Sequence, residues 1–181
     1  MTRLLGVAAK KQTAATKRPY TGYNGTAGGT TAGLNVLIRT LERETRRGLW
    51  NNGAWGVRDM KGKPGQPSVH ATGRAVDMSW RNMPDDRGRA DWYQPACQII
   101  NRLVANADAI GLEMIIDYFP HPWGKAWRCD RGRWRKYDSR TVSGAPSGDW
   151  FHIEISPAMG ANPEGMKAAL ALVFPPNPPQ P

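Results

Sequence analysis

The chain has 181 residues, 40% of them hydrophobic, which suits one compact domain and leaves too little for two. No stretch approaches the roughly 18–20 apolar residues of a membrane span, and two cysteines cannot make a disulfide framework or a four-thiolate zinc site. The net charge of +10 sits in two blocks: residues 1–48 hold nine Lys/Arg against two Glu, and residues 121–140 hold seven Lys/Arg against two Asp.

Residues 1–30 are polar, basic and rich in Gly and Thr, and read as an extended arm or loops. The apolar run at 4–9 is too short for a secretory signal, so none is expected. Leu34, Leu37, Ile38 and Leu41 recur at helical spacing, which predicts an amphipathic helix over 31–48 with Gly48 as its stop. Residues 53–69 read as irregular strand and loop. The alternation at 75–80 predicts a strand, and 81–90 a polar loop. Ile99, Ile100, Leu103 and Val104 predict a second helix over 91–109. Strands are expected at 113–119 and 150–155, with another beginning at 127–129. A short helix over 163–174 precedes a Pro-rich linker end at 175–181. One domain thus covers 31–174. Its expected class is α+β, a small antiparallel sheet with helices packed on one side.

The chain has three histidines, and two stand in patterned company. Ser68-Val69-His70-Ala71-Thr72-Gly73-Arg74-Ala75-Val76-Asp77 surrounds the first, and Asp149-Trp150-Phe151-His152-Ile153-Glu154 the last. A catalytic zinc site takes three protein ligands and keeps one open position. His70, Asp77 and His152 supply two nitrogens and one oxygen. Positions seven apart on a straight strand face opposite sides, so His70 and Asp77 converge only if the chain bends between them. Gly73 permits that bend. Asp149 lies where a loop enters a strand, and its carboxylate can take a proton from an attacking water and return it to a leaving amine. Glu154 shares a strand face with His152 and suits either a partner behind the ligand or a substrate contact.

Ser-x-His-x-x-Gly-x-Ala-x-Asp followed by Asp-x-x-His-x-Glu resembles the zinc D-Ala-D-Ala carboxypeptidase and L-Ala-D-Glu endopeptidase family, whose fold is Hedgehog-like. The two motifs span residues 68–154, about half the chain. The resemblance implies a Zn2+ site of His70, Asp77 and His152 with Asp149 as general base. It implies Arg58 beside the developing oxyanion, and Ser68 and Glu154 are expected among the substrate contacts. An Asp at the base position leans toward the endopeptidase branch. The D-Ala-D-Ala carboxypeptidase or dipeptidase branch, and a non-catalytic zinc-containing wall-binding domain, remain alternatives.

His121 reads as an exposed loop residue, Cys97 as a small buried hydrophobe on a helix, and Cys129 as its conceivable partner. Residues 123–136 interleave aromatic and basic side chains, a composition that suits either single-stranded nucleic acid or an anionic wall glycan. Beside a metallopeptidase motif the wall is the favoured partner: peptidoglycan, with anionic wall polymers in addition and nucleic acid disfavoured. The combination looks like the peptidase module of a phage endolysin, a bacteriolytic monomer made in the host cytoplasm and released to the wall during lysis.

Overall fold

The computed structural model describes residues 15–81, 89–140 and 144–175. Among the described residues the chain forms six strands: β1 (Trp50–Gly53), β2 (Ala75–Ser79), β3 (Leu112–Asp117), β4 (Lys125–Arg128), β5 (Arg133–Lys136) and β6 (Trp150–Ile155). They join in one antiparallel sheet in the order β1-β2-β6-β3-β4-β5. The helices are α1 (Ala32–Glu44), α2 (Arg89–Ala105), the single turn α3 (Pro157–Gly160) and α4 (Pro163–Val173). No described helix is long and apolar enough to cross a membrane.

Side chains alternate across a strand, so the register sorts the sheet into two faces. Val76 and Met78 of β2, Phe151 and Ile153 of β6, Ile115 of β3 and Trp127 of β4 share one face. They join Leu34, Leu37 and Leu41 of α1, Leu103 of α2 and Leu170 of α4 in the main core. The three α1 leucines are fully buried, each stabilising the fold by roughly 1.5–3 kcal/mol. The opposite face carries Asp77 and His152, paired across β2 and β6, then Ile116, Ala126 and Arg135 in the same row on β3, β4 and β5. A second, small apolar cluster of Ile116, Tyr118, Ala126 and Ala145 lies on this side.

The α+β expectation and the helices on one side agree with this architecture. Three local expectations do not. The first helix ends at Glu44, not at Gly48. Thr45 Oγ1 donates to the Leu41 carbonyl at 2.7 Å and accepts from the Leu49 amide at 3.0 Å, and Arg46 and Arg47 then take left-handed backbone, φ 51° and 63°. These local bonds compete with further helix. The strand β1 lies in Trp-Asn-Asn-Gly, ahead of the irregular stretch expected from 53, and α3 is an extra turn capped by Ser156. The loop expected at 81–90 falls mostly outside the described residues, as do 1–14 and 176–181.

Residues 15–31 form an extended strap, as their composition suggests. The Arg18 amide donates to the Cys129 carbonyl, Ala27 to Ala71 and Thr31 to Gly73. Arg74, 3% exposed, grips the strap from beneath: its guanidinium donates to the Gly22 carbonyl at 2.5 Å and to Asn24 Oδ1 at 2.8 Å. A buried Glu113 faces Arg74 at 3.5 Å and accepts from the Thr21 hydroxyl at 2.6 Å.

Candidate metal centre

The bend that the sequence requires between His70 and Asp77 is a 3-10 turn, Val69–Thr72, closed by Gly73 at φ 70°. Ser68 caps the turn, its hydroxyl accepting from the His70 amide at 3.3 Å. A Cβ at Gly73 would collide with the Gly29 carbonyl of the strap, so this position needs glycine for both its backbone angle and its close approach. Past the turn, β2 carries Asp77 into register opposite His152 of β6. Three elements therefore deliver three side chains to one point on the sheet face.

His70, Asp77 and His152 each offer a ligand atom within 4.8 Å of the other two. Asp77 Oδ1 lies 3.0 Å from His152 Nδ1, Asp77 Oδ2 lies 3.5 Å from His70 Nε2, and the two rings meet edge-on at 4.9 Å. The far side of each ring is already committed. His70 Nδ1 donates to the Ala54 carbonyl at 2.7 Å, which leaves Nε2 facing Asp77. His152 Nε2 donates to Glu154 Oε1 at 2.8 Å, which leaves Nδ1 facing Asp77. Glu154 Oε2 accepts in turn from the Tyr20 hydroxyl at 2.7 Å. Each imidazole is thus fixed in orientation with one nitrogen directed inward, the arrangement that metal-ligating histidines require.

The electrostatics of the metal-free cluster are those of a cation-binding site. Burial opposes charging of His152, yet the Asp77 and Glu154 carboxylates outweigh it and push its pKa up to about 10. Burial likewise raises the Asp77 carboxyl, but the bonds from His152 and His70 overcome this and hold it well below the usual carboxylate range. Burial and the adjoining Glu154 charge keep the Tyr20 phenol protonated, so Tyr20 donates. The group attracts a proton to a place where a divalent ion satisfies the same lone pairs. Two imidazole nitrogens and one carboxylate fit such an ion, and zinc, iron and other transition metals accept this donor set.

The remaining expected site residues fall in different places. Asp149 stands at the entry to β6, 5% exposed, gripped by Arg81 through Nε at 3.0 Å and a terminal nitrogen at 3.1 Å. Ser68 and Glu154, expected among substrate contacts, are 9% and 2% exposed and bond to the backbone and ring of the two histidines. Both lie buried against the two histidines and not on an exposed surface. Arg58 is exposed and lines an open cavity of about 330 Å³ with Tyr23, Val57, Asp59 and Ala71, next in the chain to His70. His121 is exposed as expected, 3.3 Å from the Ser147 hydroxyl. Cys129 is buried, Cys97 half-buried, and both are free thiols.

Sequence reasoning missed Tyr20, Arg81 and Ala54. Tyr20 lies 134 residues from Glu154, and no spacing rule connects them. Arg81 carried a local signal: it lies two residues past the end of β2, whose partner strand begins beside Asp149. Comparison with family models, with curated proteins and with solved structures returns no match to this chain.

Proposed function

We propose that the protein is a zinc metallopeptidase that hydrolyses peptide bonds in bacterial peptidoglycan stem peptides, with the L-Ala–D-Glu bond as its target. The observation that carries this reading is the convergence of His70, Asp77 and His152, each imidazole locked from behind, on the sheet face opposite the main core. Bound there, zinc supplies Lewis acidity and an activated water. Asp149 is the proton carrier: it accepts from the attacking water and delivers to the leaving amine. The Arg81 fork, bonding through Nε at 3.0 Å and a terminal nitrogen at 3.1 Å, holds the Asp149 carboxylate in orientation for this work. Arg58, exposed in the cavity that Ala71 also lines, stabilises the developing oxyanion. The basic charge and the wall substrate together support a role as an endolysin-type bacteriolytic module of a bacteriophage.

One observation favours a second reading, a non-catalytic zinc-containing wall-binding domain: both Asp149 oxygens already accept from Arg81. Peptidoglycan digestion followed by mass spectrometry of the released peptides separates the readings. New L-Ala and free D-Glu termini, lost with a chelator and lost with zinc retained in Asp149→Asn, support the endopeptidase. Release of terminal D-Ala moves the activity to the carboxypeptidase branch. Wall binding with zinc but without cleavage supports the binding domain.

A further inference from the structure

The basic stretch at 123–136 has a use that the metal centre does not explain. Register places Arg135 in the row Asp77–His152–Ile116–Ala126–Arg135, on the metal-ligand face of the sheet. The adjacent row on that face runs Ala75–Glu154–Met114–Arg128–Arg133. The tryptophans of β4 and β5 face the other way. Trp127 is 2% exposed in the main core, and Trp134 packs against that core beneath Lys125, whose Nζ sits 4.8 Å over its ring. The rings of β4 and β5 are thus withheld from the arginine side.

Two of the guanidiniums are open to a ligand. Arg128 is clamped by Asp130 at 2.8 and 2.7 Å and lies 4.8 Å over the Tyr20 ring. Arg131 donates to the Ala126 carbonyl at 2.8 Å. Arg133 is exposed, and among the described residues its guanidinium has no hydrogen-bond or ion-pair partner. Among the described residues Arg135 reaches only Asp138, at 3.5 Å, with both side chains mostly exposed. The hairpin residues 125–136 carry six cations against one carboxylate, and Arg128, Arg133 and Arg135 of these lie on the metal-ligand face. Such a surface selects an anion, and planar forks select carboxylate or phosphate.

Distance decides where that anion sits. β5 lies three strands from β6, about 14 Å at ordinary strand spacing. An extended peptide crosses that gap in about four residues. We propose that Arg133 and Arg135 bind a carboxylate that the substrate peptide carries about four residues from the bond held over His70, Asp77 and His152. The inference rests on the peptidase reading for the position of that bond. The two arginines are then specificity-determining residues, and amidation of the substrate carboxylates weakens recognition.

The test uses zinc-loaded protein and soluble stem-peptide fragments of peptidoglycan, either untreated or with carboxylates converted to amides. Calorimetric binding is measured in an Asp149→Asn background, and hydrolysis in the otherwise native chain. The proposal expects Arg133→Ser/Arg135→Ser to weaken binding of untreated fragments about tenfold, a typical loss for a charge-assisted contact. Amidated fragments should bind the arginine and serine forms alike, and KM should rise more than kcat falls. Arg133→Lys/Arg135→Lys, which keeps the charge and loses the fork, should fall between. Equal affinity of the arginine and serine forms for untreated fragments overturns the proposal, as does tighter arginine-dependent binding of a single-stranded oligonucleotide. Cleavage indifferent to both substitutions removes this surface and leaves the peptidase reading. Arginine-dependent binding without cleavage by the native chain removes the peptidase reading and leaves the surface.

Discussion

At the residue scale, His152 owes its orientation to two groups that never meet the metal position. Glu154 holds Nε2 from behind, and Tyr20 holds Glu154. Loss of such a partner costs about 10–100-fold in metal affinity. Glu154→Ala should therefore weaken zinc binding by that amount, and Tyr20→Phe, one bond further out, by less, as read by competition with a chromophoric chelator. The metal-free cluster also makes stability depend on pH. His152 has its folded pKa raised from 6.5 to about 10, so its contribution is full below pH 6.5 and is lost as pH rises toward 10. Asp77 is depressed from 3.8, so its contribution is present above that value and is lost as pH falls below it. Denaturant midpoints of chelator-treated protein should peak between these limits, and a flat profile would contradict the pairing. A zinc ion bound here would displace the His152 proton, so its affinity should climb with pH across the same upper range. The cluster of His70, Asp77 and His152, which could hold a metal ion, was legible in the sequence because His70, Gly73 and Asp77 sit in one short motif and His152 in another. The burial of Ser68 and Glu154 was not, because exposure depends on the strap and sheet that cover them.

At the element scale, the turn between His70 and β2 carries the geometry. Gly73→Ala forces a left-handed backbone that costs about 1–2 kcal/mol on its own and drives a methyl into the Gly29 carbonyl. Destabilisation of at least ~2 kcal/mol in urea unfolding, with weaker zinc binding, is the expected outcome. An unchanged midpoint would mean that the strap does not pack against the turn. Strands β2 and β6 were readable from alternation, since each buries one face in the core and turns ligands to the other. Strand β1 was not: Trp-Asn-Asn-Gly has no apolar alternation, and it pairs only because β2 offers an edge. The first helix ends early because Thr45 back-bonds to Leu41, a choice that hydrophobic periodicity does not register.

At the scale of the whole molecule, the sheet divides labour between its faces. One is covered by helices and supplies the core; the other holds the histidine–carboxylate cluster in line with the arginines of β5. Composition foretold the charge but not its arrangement, which depends on a register that puts arginines on one side of β4 and β5 and tryptophans on the other. Because a zinc ion held by His70, Asp77 and His152 would join the 68–77 segment to β6, some 75 residues on, it should stabilise the whole domain. Zinc free at 100 times its Kd adds about 2.7 kcal/mol, and a domain of this size gains roughly 2–4 °C per kcal/mol. Calorimetric Tm should therefore rise by about 5–10 °C on zinc loading and fall back with chelator. The most direct test of the account is equilibrium dialysis against zinc for the native chain beside His70→Ala, Asp77→Ala and His152→Ala. The account predicts one tightly held zinc per native chain and loss of that zinc in each variant. A native chain that binds no zinc, or variants that bind it equally well, would contradict it.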